Sequence, residues 1–175
     1  MVICPRSDQP TTHILPLVKE RLLLLVRPAK VRVSRSPSGN ELSYTADTWP
    51  IDRWPNFAFA EMACQETGEC KMDKATMDRL QLLRDYCRLP LTITSGYRSP
   101  LHSIEAAKAA PGTHSMGRAV DIACSGIQAF KILTEALAVG FTGIGVKQKG
   151  EHRFLHLDDL KPGEHTAPRP TIWSY

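Results

Sequence analysis

The strongest constraint on the fold is an alternation of helical and strand periodicity that runs from Trp49 to Tyr175. In two segments apolar residues recur at steps of three and four, whereas shorter runs are rich in β-branched and aromatic residues. The first pattern predicts helices over 73–88 and 127–139, and the second predicts strands over 91–94, 120–123, 141–146 and 154–157. This order predicts an α+β fold, in which a small antiparallel sheet carries helices packed on one face.

Three residues mark the ends of the two predicted helices. Asp73 precedes the first helix and can accept a hydrogen bond from a backbone N–H of its first turn. Pro90 ends that helix, and Gly140 suits the left-handed position that closes the second one. Each predicted helix therefore has a local signal for where it stops.

Residues 1–46 differ from the rest of the chain in composition and in periodicity. They mix prolines, basic residues and the polar stretch SRSPSGNE, and show no sustained period apart from a short helical pattern at 15–26. We interpret 1–46 as a basic, flexible N-terminal arm and 47–175 as one folded domain. Translated sequence upstream of the true start is the alternative interpretation of the arm.

The net charge of +4 does not indicate a nucleic-acid partner. Residues 1–46 carry seven Lys/Arg against three Asp/Glu, whereas residues 47–175 carry fifteen of each sign. The domain is therefore neutral and has no basic stripe of the kind that tracks a phosphate backbone.

The chain shows neither an export signal nor a membrane span. Pro5, Asp8 and Pro10 interrupt the order of basic, apolar and small residues that a secretory signal needs. The apolar run at 22–26 is far shorter than the roughly 20 residues that cross a bilayer. We therefore expect a protein without a transmembrane segment.

The five cysteines show no C-x-x-C spacing, and their odd number leaves one unpaired in any disulfide scheme. We expect them to be mostly reduced and buried. A disulfide between Cys64 and Cys70 stays open, because pairing depends on a Cα separation that the sequence does not give.

The segment from His114 to Asp121, HSMGRAVD, places an imidazole and a carboxylate at the two ends of a glycine-containing turn. Zinc accepts both ligand types, and a catalytic zinc site uses three protein ligands with one open position. A further histidine must therefore come from elsewhere in the chain, and His156 is the best candidate. In the predicted strand RFLHLD, alternation puts Phe154, His156 and Asp158 on one face.

Three elements together resemble the M15 group of zinc peptidases: H-x-x-G-x-A-x-D at 114–121, S-G-Y-R-S at 95–99 and F-x-H-x-D at 154–158. That group includes D-alanyl-D-alanine carboxypeptidases and phage L-alanyl-D-glutamate endolysins, and it shares its fold with the hedgehog signalling domain. The resemblance covers roughly residues 56–175. It implies a hedgehog/DD-peptidase-like fold and a Zn²⁺ ion held by His114, Asp121 and His156.

The resemblance also implies a substrate-binding role for the S-G-Y-R-S turn. Arg98 would meet a substrate carboxylate, since a planar guanidinium suits bidentate recognition of that group. Tyr97 is the second candidate for substrate binding, with packing as its simpler role.

Two departures from the family pattern leave the catalytic base open. Gly112 stands where the family usually has serine, and Arg153 stands where many members have a catalytic Asp or Glu. Asp158 is our first candidate for the base, because it shares the face of His156, and Glu151 is the second. His152 is the candidate for stabilising an oxyanion.

The resemblance implies zinc-dependent hydrolysis of peptide bonds in peptidoglycan stem peptides, by a carboxypeptidase or an endopeptidase. We expect a monomer that is made in the cytoplasm and acts on the cell wall after release or as a virion component, in the manner of a phage lysin. The alternative is a non-catalytic zinc-bearing module that binds peptides or the cell wall, because Arg153 cannot serve as a base.

Overall fold

A computed structural model describes residues 43–175, which form four helices and five strands. In chain order these are α1 (Phe59–Met62), α2 (Lys74–Cys87), β1 (Thr92–Ser95), α3 (Ser103–Ala106), β2 (Ala119–Ala123), α4 (Gly126–Val139), β3 (Gly143–Lys147), β4 (Phe154–Asp158) and β5 (Thr171–Ser174). The α+β class and all six predicted elements are confirmed. The short helices α1 and α3 and the last strand are additions to the predicted set.

The two long helices end where their capping residues predict. The side chain of Asp73 accepts a hydrogen bond from the backbone N–H of Thr76 over 2.9 Å and so caps α2. Arg88 closes this helix in a left-handed conformation, and Gly140 closes α4 in the same way. Local chemistry therefore fixes both ends of α2 and the C-terminal end of α4.

The strands form one mixed sheet in the order β1-β2-β4-β3-β5. The first four pair antiparallel, as predicted, but β5 joins the edge of β3 in parallel. The sequence did not predict β5 because this strand is four residues long and follows Pro168 and Pro170. Its addition brings Trp173 alongside Gly145 on the neighbouring strand.

One face of the sheet carries the hydrophobic core. Leu155 and Leu157 on β4 are buried there together with Leu80 on α2 and Ile132 on α4. Alternation along β4 turns His156 and Asp158 to the opposite face. The sheet therefore separates an apolar layer beneath the helices from a polar layer that holds the chemistry.

Two glycines of β3 make room for that polar layer. Gly143 and Gly145 lie directly across the ladder from Asp158 and His156. A Cβ atom on Gly145 would lie 2.9 Å from the Cβ of His156 and from the ring of Trp173, and one on Gly143 would collide with the carboxylate of Asp158. The two glycines of this strand therefore leave the space that the side chains of Asp158 and His156 occupy.

The folded unit includes residues that the sequence assigned to the arm. The backbone N–H of Tyr44 donates to the carbonyl of Cys70 over 2.8 Å, and its ring packs edge-on against Trp49 and Trp54. The domain therefore begins before residue 47, while the interpretation of residues 1–42 lies outside the described part of the chain.

The four cysteines within residues 43–175 are free and buried, as expected for reduced thiols: Cys64, Cys70, Cys87 and Cys124. No disulfide links Cys64 to Cys70 in this structure. None of the described helices is long and apolar enough to cross a membrane.

Candidate metal centre

Three potential metal-ligand atoms meet on the polar face of the sheet. Nε2 of His114 lies 3.2 Å from Nδ1 of His156 and 3.3 Å from Oδ1 of Asp121. Nδ1 of His156 lies 2.8 Å from the same oxygen. The structure thus brings together the three residues that the sequence assigned to the metal, and all three are buried.

Two adjacent strands and one turn position these side chains. Asp121 on β2 and His156 on β4 are direct partners across the ladder, so their side chains leave the same face of the sheet. His114 comes from the turn before β2, in which Gly117 has a φ of +67° and packs so closely against the backbone of Lys71 that a Cβ would collide with it. The glycine of the motif therefore fixes the turn that presents His114.

A backbone carbonyl sets the tautomer of His114. Its Nδ1 lies 2.7 Å from the carbonyl oxygen of Gly96, which can only accept a hydrogen bond. Nδ1 therefore carries the proton, and Nε2 keeps its lone pair facing the centre. Such a contact is the usual way in which a metal-binding imidazole is oriented.

A carboxylate does the same for His156. Its Nε2 lies 3.3 Å from Oδ2 of Asp158 and 3.4 Å from Oγ1 of Thr113. Donation from Nε2 to Asp158 leaves the lone pair of Nδ1 directed at the centre. Both histidines are therefore held with an acceptor atom facing Asp121.

Arg98 holds the third ligand. It donates from Nη2 to Oδ2 of Asp121 over 2.9 Å and from Nε to the hydroxyl of Ser95, also over 2.9 Å. This leaves Oδ1 of Asp121 directed at the two imidazoles. Arg98 thus lies at the candidate metal centre and orients the carboxylate of Asp121.

The three groups shift one another's pKa values. Burial lowers the pKa of His114. Burial has the same effect on His156, but hydrogen bonds with Asp121 and Asp158 outweigh it and raise that pKa. Burial would raise the pKa of Asp121, yet contacts with the two histidines bring it far below its usual value. The carboxylate of Asp121 is therefore ionised, and it supplies the negative charge that a cation would need at this centre.

The donor set fits zinc. Two imidazole nitrogens and one carboxylate oxygen are a common catalytic set, and ligands of a tetrahedral zinc ion are roughly 3.3 Å apart. The separations of 3.2 and 3.3 Å between the described donor atoms match this value, and the 2.8 Å contact needs only a small opening. The residues present are therefore arranged to hold such an ion.

A cleft of about 800 Å³ opens onto the centre. The three candidate ligands line it together with four basic side chains and three aromatic ones: Arg98, Lys108, His165, Arg169, Phe154, Trp173 and Tyr175. Among the described residues that line it, Asp121 is the one carboxylate. The cleft therefore combines a basic charge with an aromatic wall.

Asp158 lies beside His156, as predicted, but its contacts differ from those expected of a base. Both of its oxygens accept hydrogen bonds from Arg169, over 2.8 and 2.7 Å, and the side chain is fully buried. Burial would raise its pKa, yet contacts with His156 and Arg169 lower it to about 2. These are the contacts of a residue that positions His156, and Asp158 does not line the cleft.

Three predicted site residues lie elsewhere. Glu151 and His152 line a separate depression at the β3–β4 turn, beside Arg153. Both residues lie in the turn before β4, and neither lines the cleft at the candidate metal centre. Tyr97 is 2% exposed and belongs to the core, not to the cleft lining, which corrects its assignment to substrate binding.

Sequence reasoning missed Glu105, which anchors the segment leading to His114. Its buried carboxylate accepts hydrogen bonds from the backbone of Gly112 over 3.1 Å, from Ser115 over 2.7 Å and from Lys108 over 2.7 Å. A Cβ on Gly112 would lie 2.6 Å from Nζ of Lys108 and 2.9 Å from this carboxylate, so a serine here would need both side chains to shift. No local pattern in the sequence marks Glu105.

Arg169 was missed as well, because it lies between two prolines in a segment without a period. Only the tertiary structure brings its guanidinium to Asp158.

Comparison with known families agrees with this geometry. The family model described as Peptidase M15 matches residues 55–158, which contain the His-Asp-His group and Arg98. A search of curated proteins finds no significant match. M15 peptidases depend on zinc. Since the family match spans more than half of the chain, this chain belongs to the peptidase M15 family and is a metallopeptidase.

Proposed function

We propose that this protein hydrolyses peptide bonds in the stem peptides of bacterial peptidoglycan, with a zinc ion held by His114, Asp121 and His156. The observation that carries the proposal is the convergence of three acceptor atoms, two of them on imidazoles whose other nitrogen is engaged. A zinc ion in this position supplies a Lewis acid that polarises a carbonyl group and lowers the pKa of a water molecule.

The protein's own residues orient these ligands and exclude bulk water from them. Gly96 and Asp158 hold the imidazoles, and Arg98 holds Asp121. The ligands are buried at the base of the cleft, where an electrostatic interaction is stronger than in water. A peptide that enters the cleft therefore meets a prearranged centre.

The charge of the cleft supports a substrate that carries carboxylates. Arg98, Lys108 and Arg169 line it, against the single side-chain carboxylate of Asp121. Nη1 of Arg98 lies 3.8 Å from Glu105, beyond hydrogen-bond distance, and the side chain is 19% exposed. Arg98 therefore has a donor for a substrate carboxylate beyond those that hold Asp121 and Ser95.

A digestion experiment tests the proposal. Purified peptidoglycan and soluble stem peptides are incubated with the zinc-loaded protein, with and without chelator, and the products are identified by mass spectrometry. We expect chelator-sensitive cleavage, and the product masses show whether the terminal D-alanine or an internal bond is cut. The His114→Ala variant should bind little zinc and release no product.

The same experiment separates the enzyme from a zinc-bearing binding module. Retention on insoluble walls without any soluble product, by a protein that holds one zinc ion per chain, would contradict the proposal. It would favour the module, in agreement with the absence of an acidic residue at position 153.

The role of Arg98 is tested by amidating the substrate carboxylate. Amidation should weaken binding of the wild-type protein about tenfold or more, because a charge-assisted pair is lost, and should change binding of Arg98→Ala little. Arg98→Lys is the matched variant, since it keeps the charge but not the planar fork. Equal sensitivity of the wild type and Arg98→Ala to amidation would remove Arg98 from this role.

A further inference from the structure

A third imidazole lines the cleft and takes no part in the candidate metal centre. His165 lies in the segment between β4 and β5 and is half-buried. The other two imidazoles of the cleft, those of His114 and His156, face each other within the centre. His165 therefore has a different set of contacts, and these define its chemistry.

The backbone fixes the tautomer of His165. Its Nδ1 accepts a hydrogen bond from the N–H of Ala167 over 3.1 Å. In the neutral ring the proton is then on Nε2, since one nitrogen of a neutral imidazole donates and the other accepts. Within residues 43–175 no side chain accepts a hydrogen bond from this Nε2, so the N–H is available to a ligand in the cleft.

Two of the basic side chains of the cleft already hold carboxylates. Arg169 donates to both oxygens of Asp158 and to the carbonyl of Pro168 over 2.9 Å. Lys108 donates to Glu105 over 2.7 Å. His165 thus offers a donor, on the β4–β5 segment, that can meet a substrate oxygen without first breaking an ion pair.

We propose that His165 is a catalytic residue that donates a hydrogen bond from Nε2 to the carbonyl oxygen of the scissile bond as negative charge develops there. The proposal rests on the proposed hydrolysis. Water adds to the carbonyl carbon, the C–N bond breaks and the leaving amine takes a proton, while His165 keeps its own. Donors placed for such an oxygen commonly contribute about 100- to 1000-fold to kcat. This role replaces the one that the sequence suggested for His152.

The variants separate a donor from a base. His165→Ala removes the N–H, whereas His165→Gln places an amide N–H near the position of Nε2 but cannot accept and release a proton. Each variant is loaded with zinc, its metal content and thermal unfolding are measured, and kcat and KM are determined on a soluble stem peptide. We expect unchanged zinc content, kcat lowered about 100-fold or more in His165→Ala, KM within about threefold, and substantial recovery in His165→Gln.

His102 provides the matched control. Its Nδ1 also accepts from a backbone N–H two residues later, that of Ile104, over 3.2 Å, but it does not line the cleft. His102→Ala and His102→Gln should therefore leave kcat and KM within about threefold of the wild type. This result would show that losing such a backbone contact does not by itself lower kcat, so that the effect of His165→Ala comes from the lost donor.

A binding measurement adds a readout that needs no turnover. A phosphinate peptide, whose anionic oxygens resemble the developing charge, is titrated into the zinc-loaded protein while the fluorescence of Trp173, which lines the cleft, is followed. His165→Ala should weaken phosphinate binding by about the factor lost in kcat and should leave product binding unchanged.

Three outcomes would overturn the role of His165. The first is a His165→Ala variant with wild-type kcat, and the second is a His165→Ala variant in which only KM changes. The third is a His165→Gln variant as inactive as His165→Ala, which would indicate that His165 acts as a base. A wild-type protein that holds zinc but cuts no stem peptide would overturn the proposed function as well, so the two failures are distinguishable.

Discussion

Arg169 donates to both carboxylate oxygens of Asp158, and the same carboxylate lies 3.3 Å from Nε2 of His156. This chain of contacts runs from a cation, through an anion, to an imidazole whose other nitrogen faces the candidate metal centre. Asp158 is therefore neutralised on one side and orients His156 on the other, an arrangement in which a carboxylate positions a ligand.

Replacement of Asp158 tests this positioning role. Asp158→Asn should lower zinc affinity about 10- to 100-fold, because His156 loses its charged partner. Hydrolysis should largely return at saturating zinc. Competition with a chelating dye measures the affinity, and Glu151→Gln, at the distant β3–β4 turn, is the control that should change neither quantity. If Asp158→Asn binds zinc as tightly as the wild type yet is inactive, Asp158 is the base.

The glycines of β3 give a steric prediction. Gly145→Ala should destabilise the protein by about 1–3 kcal/mol and weaken zinc binding, because its Cβ would lie 2.9 Å from both His156 and Trp173. Ile144→Val, on the core face of the same strand, should cost about 0.5–1.5 kcal/mol with unchanged zinc affinity. Chemical denaturation of the metal-free proteins and a zinc titration measure the two effects. Equal zinc affinity in both variants would show that Gly145 does not shape the centre.

The buried carboxylate of Glu105 predicts a dependence of stability on pH. Burial would raise its pKa, but hydrogen bonds from Lys108, Ser115 and Gly112 lower it below the usual value of 4.5. A lowered pKa in the folded state means that the ionised group stabilises the fold above pH 4.5 and loses this contribution as the pH falls further. Glu105→Gln should therefore be less stable at neutral pH, by about 1–2 kcal/mol, and lose less on acidification.

Urea unfolding of the metal-free wild type and Glu105→Gln over the acidic range measures this difference. Metal-free protein is used so that release of zinc does not contribute. A constant difference in unfolding free energy at every pH would contradict the assignment of the contribution to ionised Glu105.

Deletions at the N-terminus test the domain boundary. Removal of residues 1–42 should preserve zinc content and leave turnover of a short soluble peptide within about threefold, a change of well under 1.4 kcal/mol in the barrier. Removal of residues 1–46 should destabilise the protein further, by about 1–3 kcal/mol, because Tyr44 packs against Trp49 and Trp54. Tyr44→Ala in the full chain is the matched control. If removal of residues 1–42 already unfolds the protein, residues before 43 belong to the core.

Local signals in the sequence predicted the secondary structure and the candidate ligands. Asp73 and Gly140 mark helix ends through hydrogen bonds and backbone conformations that depend on nearest neighbours alone. Period-two alternation placed His156 and Asp158 on one face, because a strand turns successive side chains to opposite sides whatever its partners are. His114, Asp121 and His156 were therefore candidates from the sequence, and the resemblance to the M15 group implied their role as ligands.

The tertiary structure decided which other groups reach the ligands. Arg169 contacts Asp158, 11 residues away, and Glu105 contacts Gly112 and Ser115, 7 and 10 residues away. His165 lines the cleft. None of the three residues carries a periodic signal in the sequence. The tertiary structure also placed Glu151 and His152 in the β3–β4 turn, where they line a separate depression away from the candidate metal centre. A strand's alternation is a property of the local backbone, but the partners of a buried carboxylate depend on how distant segments pack.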